Sequence, residues 1–101
     1  MSDEKIVVKV DSDLEPLIPG FLNNRNKDLV TLRTALNEKN FQSMQSIGHS
    51  LKGVGGGYGF TGMSEIGAAI EKAAKSQALE ELRVHIERYG QYLAAVEVVF
   101  E

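Results

Sequence analysis

Pro16 and Pro19 are the only prolines of this chain, and both lie before Gly20, so no later position is barred from helix. The rest of the sequence repeats apolar residues at intervals of three and four, the period of one helix face. Leu14, Leu17, Ile18, Phe21, Leu22, Leu29, Leu32 and Leu36 trace a first helix, with Asp11 or Asp13 as N-cap and an end near Glu38-Lys39-Asn40. Pro16 suits its first turn, whereas Pro19 should kink or split it. Phe41, Met44, Ile47, Leu51, Val54 and Tyr58 trace a second helix that starts near Asn40. Phe60-Thr61-Gly62 reads as a break, with Thr61 as N-cap of a third helix carrying Met63, Ile66, Gly67, Ile70, Ala73 and Ala74. Beyond a turn at Ser76-Gln77, the stripe Leu79, Leu82, Ile86, Tyr89, Leu93, Val96 and Phe100 predicts a fourth helix.

Ile6-Val7-Val8-Lys9-Val10 is β-branched and short, and no second strand is visible for it to pair with. The expectation is an extended arm over residues 1–11 lying against an all-α domain over residues 12–101. Four amphipathic helices with short connections predict an antiparallel four-helix bundle, up-down-up-down. The absence of cysteine excludes disulfides and thiolate metal sites. A net charge of −3 offers no basic surface for nucleic acid. The N-terminus lacks the basic flank and apolar run of a signal peptide, and no membrane span is visible. A cytoplasmic monomer is the expectation.

The chemistry concentrates in His49-Ser50-Leu51-Lys52-Gly53. At about 100° per residue, His49 lies roughly 160–200° from Ile47 and Leu51, so it faces away from the core. Gln45, Lys52, Gly53 and Gly56 share that side, and residues three and four apart on a helix are neighbours. The imidazole therefore sits beside an ammonium and beside a position without a side chain, which leaves room for a large anionic group. Gly53, Gly55, Gly56 and Gly57 each cost roughly 1 kcal/mol relative to alanine in a helix. For Gly55, Gly57 and Gly59, close helix packing or helix termination stands beside partner clearance as an explanation. For Gly53, on the exposed face, clearance is the better reading.

Other chemistries lack their residues. Gly57-Tyr58-Gly59-Phe60-Thr61-Gly62 matches GxGxxG in form, but no strand precedes it and no parallel sheet is expected. There is no GxxxxGK[ST] and no HExxH. The second histidine, His85, lies between Val84 and Ile86 and reads as a surface or boundary residue. Ser46 and Ser50 flank His49 on the same helix, yet no acidic residue is placed to orient the ring as in a triad. Neither hydrolysis nor metal or cofactor chemistry is expected.

His49-Ser50-Leu51-Lys52-Gly53, with Gly59 ten residues after the histidine, resembles the histidine-containing phosphotransfer (HPt) domain family. The family pattern is His-x-Leu-Lys-Gly with a later glycine, set in the second helix of a four-helix bundle. The resemblance runs from about Asp13 to Phe100 and departs from the pattern after Gly53, where Val54 and three glycines replace the usual small residues. It implies a two-component phosphorelay protein in which His49 takes a phosphoryl group on Nε2 from an aspartate of a receiver domain and passes it to another receiver. Lys52 would offset the phosphoryl charge, Gln45 would hydrogen-bond the ring or the phosphoryl group, and Gly53 would keep the approach open. Partners would be receiver domains of response regulators or hybrid histidine kinases. The Mg²⁺ and the aspartate would belong to the receiver, and the chain would have no autokinase activity. The competing expectation is an adaptor bundle that binds receivers or other signalling proteins without carrying phosphate. A more distant one is an assembly module that oligomerises through the Ile6–Val10 arm.

Overall fold

A computed structural model describes residues 5–101. The first four residues of the expected arm lie outside the described residues. Strand β1 spans Ile6–Val10 and a 3-10 helix spans Ser12–Leu17. Four helices follow: α1 (Ile18–Glu38), α2 (Phe41–Gly57), α3 (Thr61–Lys75) and α4 (Leu79–Ala95). Strand β2 (Val96–Phe100) closes the order. The helices form a ring in which α1 neighbours α2, α2 neighbours α3, α3 neighbours α4 and α4 returns to α1. This is the all-α four-helix bundle that the periodicity predicts.

The prolines decide how α1 begins. Asp11 opens the 3-10 helix by accepting the Asp13 N–H on Oδ1 at 2.9 Å, and Pro16 lies within that turn. Pro19 sits in the first turn of α1, where its missing N–H has no carbonyl to serve. Of the kink or split expected near Pro19, the structure has the split: a 3-10 turn followed by a 21-residue α-helix. α3 begins one residue earlier than the sequence suggests: Phe60, fully buried, holds the N-cap position, and Thr61, expected there, is the first helical residue.

Two expectations are corrected at the ends of the chain. α4 stops at Ala95, and the residues assigned to its last turn form β2 instead. The arm is extended, but it has a partner: β1 pairs in parallel with β2, in the register Ile6↔Val96 through Val10↔Phe100. The Glu101 N–H donates to the Val10 carbonyl at 3.0 Å, and the Ser12 N–H donates to the Glu101 carbonyl at 2.9 Å, extending the ladder by a step. Val8 and Val10 point into the core, whereas Val7 and Lys9 face out.

The core runs the length of the bundle through Leu32, Met44, Leu51, Ile70, Leu82 and Tyr89. Near the C-terminal end of α2, Phe21 stacks on Tyr58 with ring centres 4.3 Å apart and tilts against Phe60 at 5.1 Å. These rings fix α1 against the α2–α3 turn. Among the described residues no helix is long and apolar enough to cross a membrane.

Candidate functional site

α2 carries the histidine, and both its ends are fixed by local hydrogen bonds. At its start the Ser43 N–H donates to Asn40 Oδ1 at 3.1 Å. At its end Gly59 adopts a φ of 87°, which lets the Phe60 N–H reach the Gly55 carbonyl at 2.7 Å and the Gly59 N–H reach the Gly56 carbonyl at 3.3 Å. Between these ends Met44, Gly48, Leu51 and Gly55 are buried. His49, next to Gly48, emerges on the side of α2 that borders α3, with 70% of its side chain exposed.

The ring is not alone there. His49 Nδ1 lies 2.9 Å from Oε2 of Glu71 on α3. Lys52 Nζ lies 3.3 Å from Glu71 Oε1, and Lys75 Nζ lies 3.9 Å from Oε2. Glu71 keeps only 12% of its side chain exposed, so one nearly covered carboxylate gathers an imidazole and two ammonium groups. Its desolvation alone would raise its pKa, but hydrogen bonds from Lys52 and His49 and the charges of both outweigh it, so the carboxyl titrates below its ordinary 4.5. Glu71 is therefore ionised at neutral pH.

An ionised carboxylate accepts hydrogen bonds and donates none. Nδ1 of His49 must then carry the proton, and in the neutral ring Nε2 keeps its lone pair. Nε2 lies on the opposite side of the ring from Glu71 and has no hydrogen-bond partner among the described residues. A histidine tautomer held in this way presents one nucleophilic nitrogen to solvent. Gly53 adds room beside it, because a Cβ built there would meet nothing within 4 Å.

The structure thus joins His49 and Lys52 through a residue that the sequence reading did not single out. The expectation that no acid orients the ring is overturned by Glu71, which comes from the neighbouring helix. A signal for it existed: Glu71 follows buried Ile70 and lies one turn beyond buried Gly67, at the border of the α3 stripe that packs on α2. Gln45 is half-buried, and no hydrogen bond links it to the ring among the described residues. Ser64 of α3 donates to the Lys52 carbonyl at 2.7 Å and ties the backbone behind the cluster to α3. His85 stands on α4, diagonally across the ring of helices from α2, beside Arg88 at 3.3 Å. Among the described residues no three His, Asp or Glu side chains gather as a metal site.

A family model for the Hpt domain matches residues 17–98. No curated protein and no solved structure matches the chain. The matched stretch takes in all four helices together with His49, Lys52 and Glu71. A histidine on the second helix of a four-helix bundle and a family match over most of the sequence lead to one conclusion: the chain belongs to the Hpt domain family, whose members serve histidine phosphotransfer in phosphorelays.

Proposed function

We propose that this chain is a phosphocarrier that takes a phosphoryl group on His49 from an aspartyl phosphate of one receiver domain and delivers it to the aspartate of another. The observation that supports this reading most directly is the hydrogen bond between His49 Nδ1 and Glu71, which leaves Nε2 as the nucleophile. The Nε2 lone pair forms the N–P bond while the P–O bond to the receiver aspartate breaks, and the aspartate leaves as a carboxylate. The ring gains positive charge in that step, and the Nδ1 proton remains in its bond to Glu71, whose negative charge offsets the gain. Lys52, on the next turn, exchanges part of its pairing with Glu71 for the phosphoryl oxygens. Delivery to the second receiver reverses each step. Gly53 keeps the surface beside His49 low enough for a receiver to bring its aspartate within reach. Mg²⁺ stays with the receiver, and the phosphate enters from aspartyl phosphate, not from ATP.

Incubation with phosphorylated receiver domains from the same cell tests this. The expected product is an acid-labile, base-stable phosphate on His49, absent from His49→Gln and absent when ATP alone is supplied. Label that persists on the His49→Gln variant would sink the assignment. Receiver binding without any label, unchanged in His49→Ala, would replace the carrier with an adaptor.

A further inference from the structure

Glu71 can serve His49 only if α3 lies at the right depth against α2, and two glycines mark where that depth is set. A Cβ added at Gly48, the residue before His49, would lie 2.6 Å from the backbone nitrogen of Glu71, 2.8 Å from the Gly67 carbonyl oxygen and 3.1 Å from the Glu71 Cα. A Cβ added at Gly67, one turn before Glu71, would lie 2.7 Å from the Lys52 backbone nitrogen, 2.7 Å from the Leu51 Cβ and 2.8 Å from the Gly48 carbonyl oxygen. The obstructing atoms are backbone or Cβ atoms, which cannot swing aside as the end of a flexible side chain can. The contacts are also reciprocal. Gly48, beside the histidine, rests on the backbone of the acid, and Gly67, beside the acid, rests on the backbone of the lysine.

We infer that Gly48 and Gly67 are positioning residues for phosphotransfer: they fix the α2–α3 separation at which His49 Nδ1, the Glu71 carboxylate and Lys52 Nζ meet. The inference rests on the carrier function proposed above, and it names what holds that function's geometry in place. A methyl group at either position forces the two backbones apart by roughly half an ångström to an ångström, because carbon atoms in contact need about 3.5 Å. The His49–Glu71 bond of 2.9 Å then leaves the range in which an N–H···O bond is effective. The 3.3 Å pairing of Lys52 with Glu71 lengthens with it. Packing as such does not single out these two positions. Gly62 is equally crowded, with a Cβ there 2.7 Å from the Tyr92 ring, yet its obstruction is a side chain of α4 and not part of the cluster.

Imidazole ¹⁵N shifts of His49 at pH 8 give the share of ring protonated on Nδ1, and this readout needs no phosphate. Gly48→Ala and Gly67→Ala are expected to convert a ring held almost wholly as the Nδ1–H tautomer into a mixture. Gly62→Ala is expected to lower stability and leave the tautomer unchanged. With a phosphorylated receiver, labelling of His49 should slow about tenfold in Gly48→Ala, and the same substitution should add little in a Glu71→Ala background, since its effect passes through Glu71. An unchanged tautomer in the folded glycine variants, or a full second loss on top of Glu71→Ala, would overturn the inference. Should the variants fail to fold, they are placed in a Gly57→Ala background, which stiffens α2 away from the cluster. Loss of folding in that background too would assign the glycines to packing alone and overturn it as well. If the unaltered chain takes no label, the carrier function fails, while the tautomer measurement still decides the role of the glycines.

Discussion

Glu71 carries the largest consequence at the scale of single residues. Removing it in Glu71→Ala frees the ring to place its proton on Nε2 and, under the proposed function, takes away the charge that would offset a phosphorylated imidazole. Labelling of His49 by a phosphorylated receiver should slow about ten- to a hundredfold, the range that a misplaced reacting group costs. Glu71→Gln keeps an acceptor for Nδ1–H but no charge, so its rate should fall between the two. The same carboxylate sets a pH dependence. Its folded pKa lies below 4.5, so its pairing stabilises the fold fully above about pH 4.5 and is lost as the pH falls through the lower folded value. Urea midpoints measured from pH 6 down to pH 3 should therefore fall less steeply in Glu71→Gln than in the unaltered chain. His49 and Lys52 were legible in the sequence because they are three positions apart on one helix. Glu71 was not, because it stands 22 residues from His49 and meets it only when two helices pack. Gln45 is the opposite case: it was placed on the same side of α2, but it is half-buried and, among the described residues, not bonded to the ring.

The elements that position the site owe their limits to a few backbone conformations. Gly59 ends α2 at a φ of 87°, where a side chain strains the backbone, so Gly59→Ala should lower stability by about 1–2 kcal/mol. Gly57 has helical geometry and nothing within 4 Å of an added Cβ, so Gly57→Ala should raise stability by up to about 1 kcal/mol. Urea unfolding of both variants, with slopes matching the unaltered chain, checks the pair. The glycine run thus divides by role. Gly55 admits the backbone of Ser64, Gly59 turns the chain, and Gly53 and Gly57 touch nothing. Helix periodicity made all four helices legible, and Asn40 marked the start of α2. It misled at the C-terminal end of α4, because Val96 and Phe100 are four apart and so share a face in a helix and also in a strand. The β-branched Val96, Val98 and Val99 were the local signs of a strand.

Across the whole molecule, the β1–β2 pair joins segments that no local pattern connects. A strand of five residues announces itself by composition, but its partner lies on the far side of four helices. Val8 and Val10 are 8% and 2% exposed, and burying a valine side chain contributes about 1.5–3 kcal/mol, an upper estimate. Deleting residues 1–10 should therefore lower stability by about 2–4 kcal/mol, read from the melting temperature. The helical circular dichroism signal should persist below the new midpoint, since all four helices remain. Phosphoryl transfer at His49, which sits on α2, should continue at temperatures where the shortened chain stays folded.

The parallel register has a mechanical side. The chain enters the ribbon at Ile6 and leaves it at Phe100, and because Ile6 faces Val96 and Val10 faces Phe100, these two points lie at opposite ends of the pair. Tension between them slides β1 along β2 and loads every rung of the ladder at once, instead of peeling the rungs one after another. The ribbon is therefore a clasp loaded in shear, and the helix that carries His49 lies outside the direct line of force.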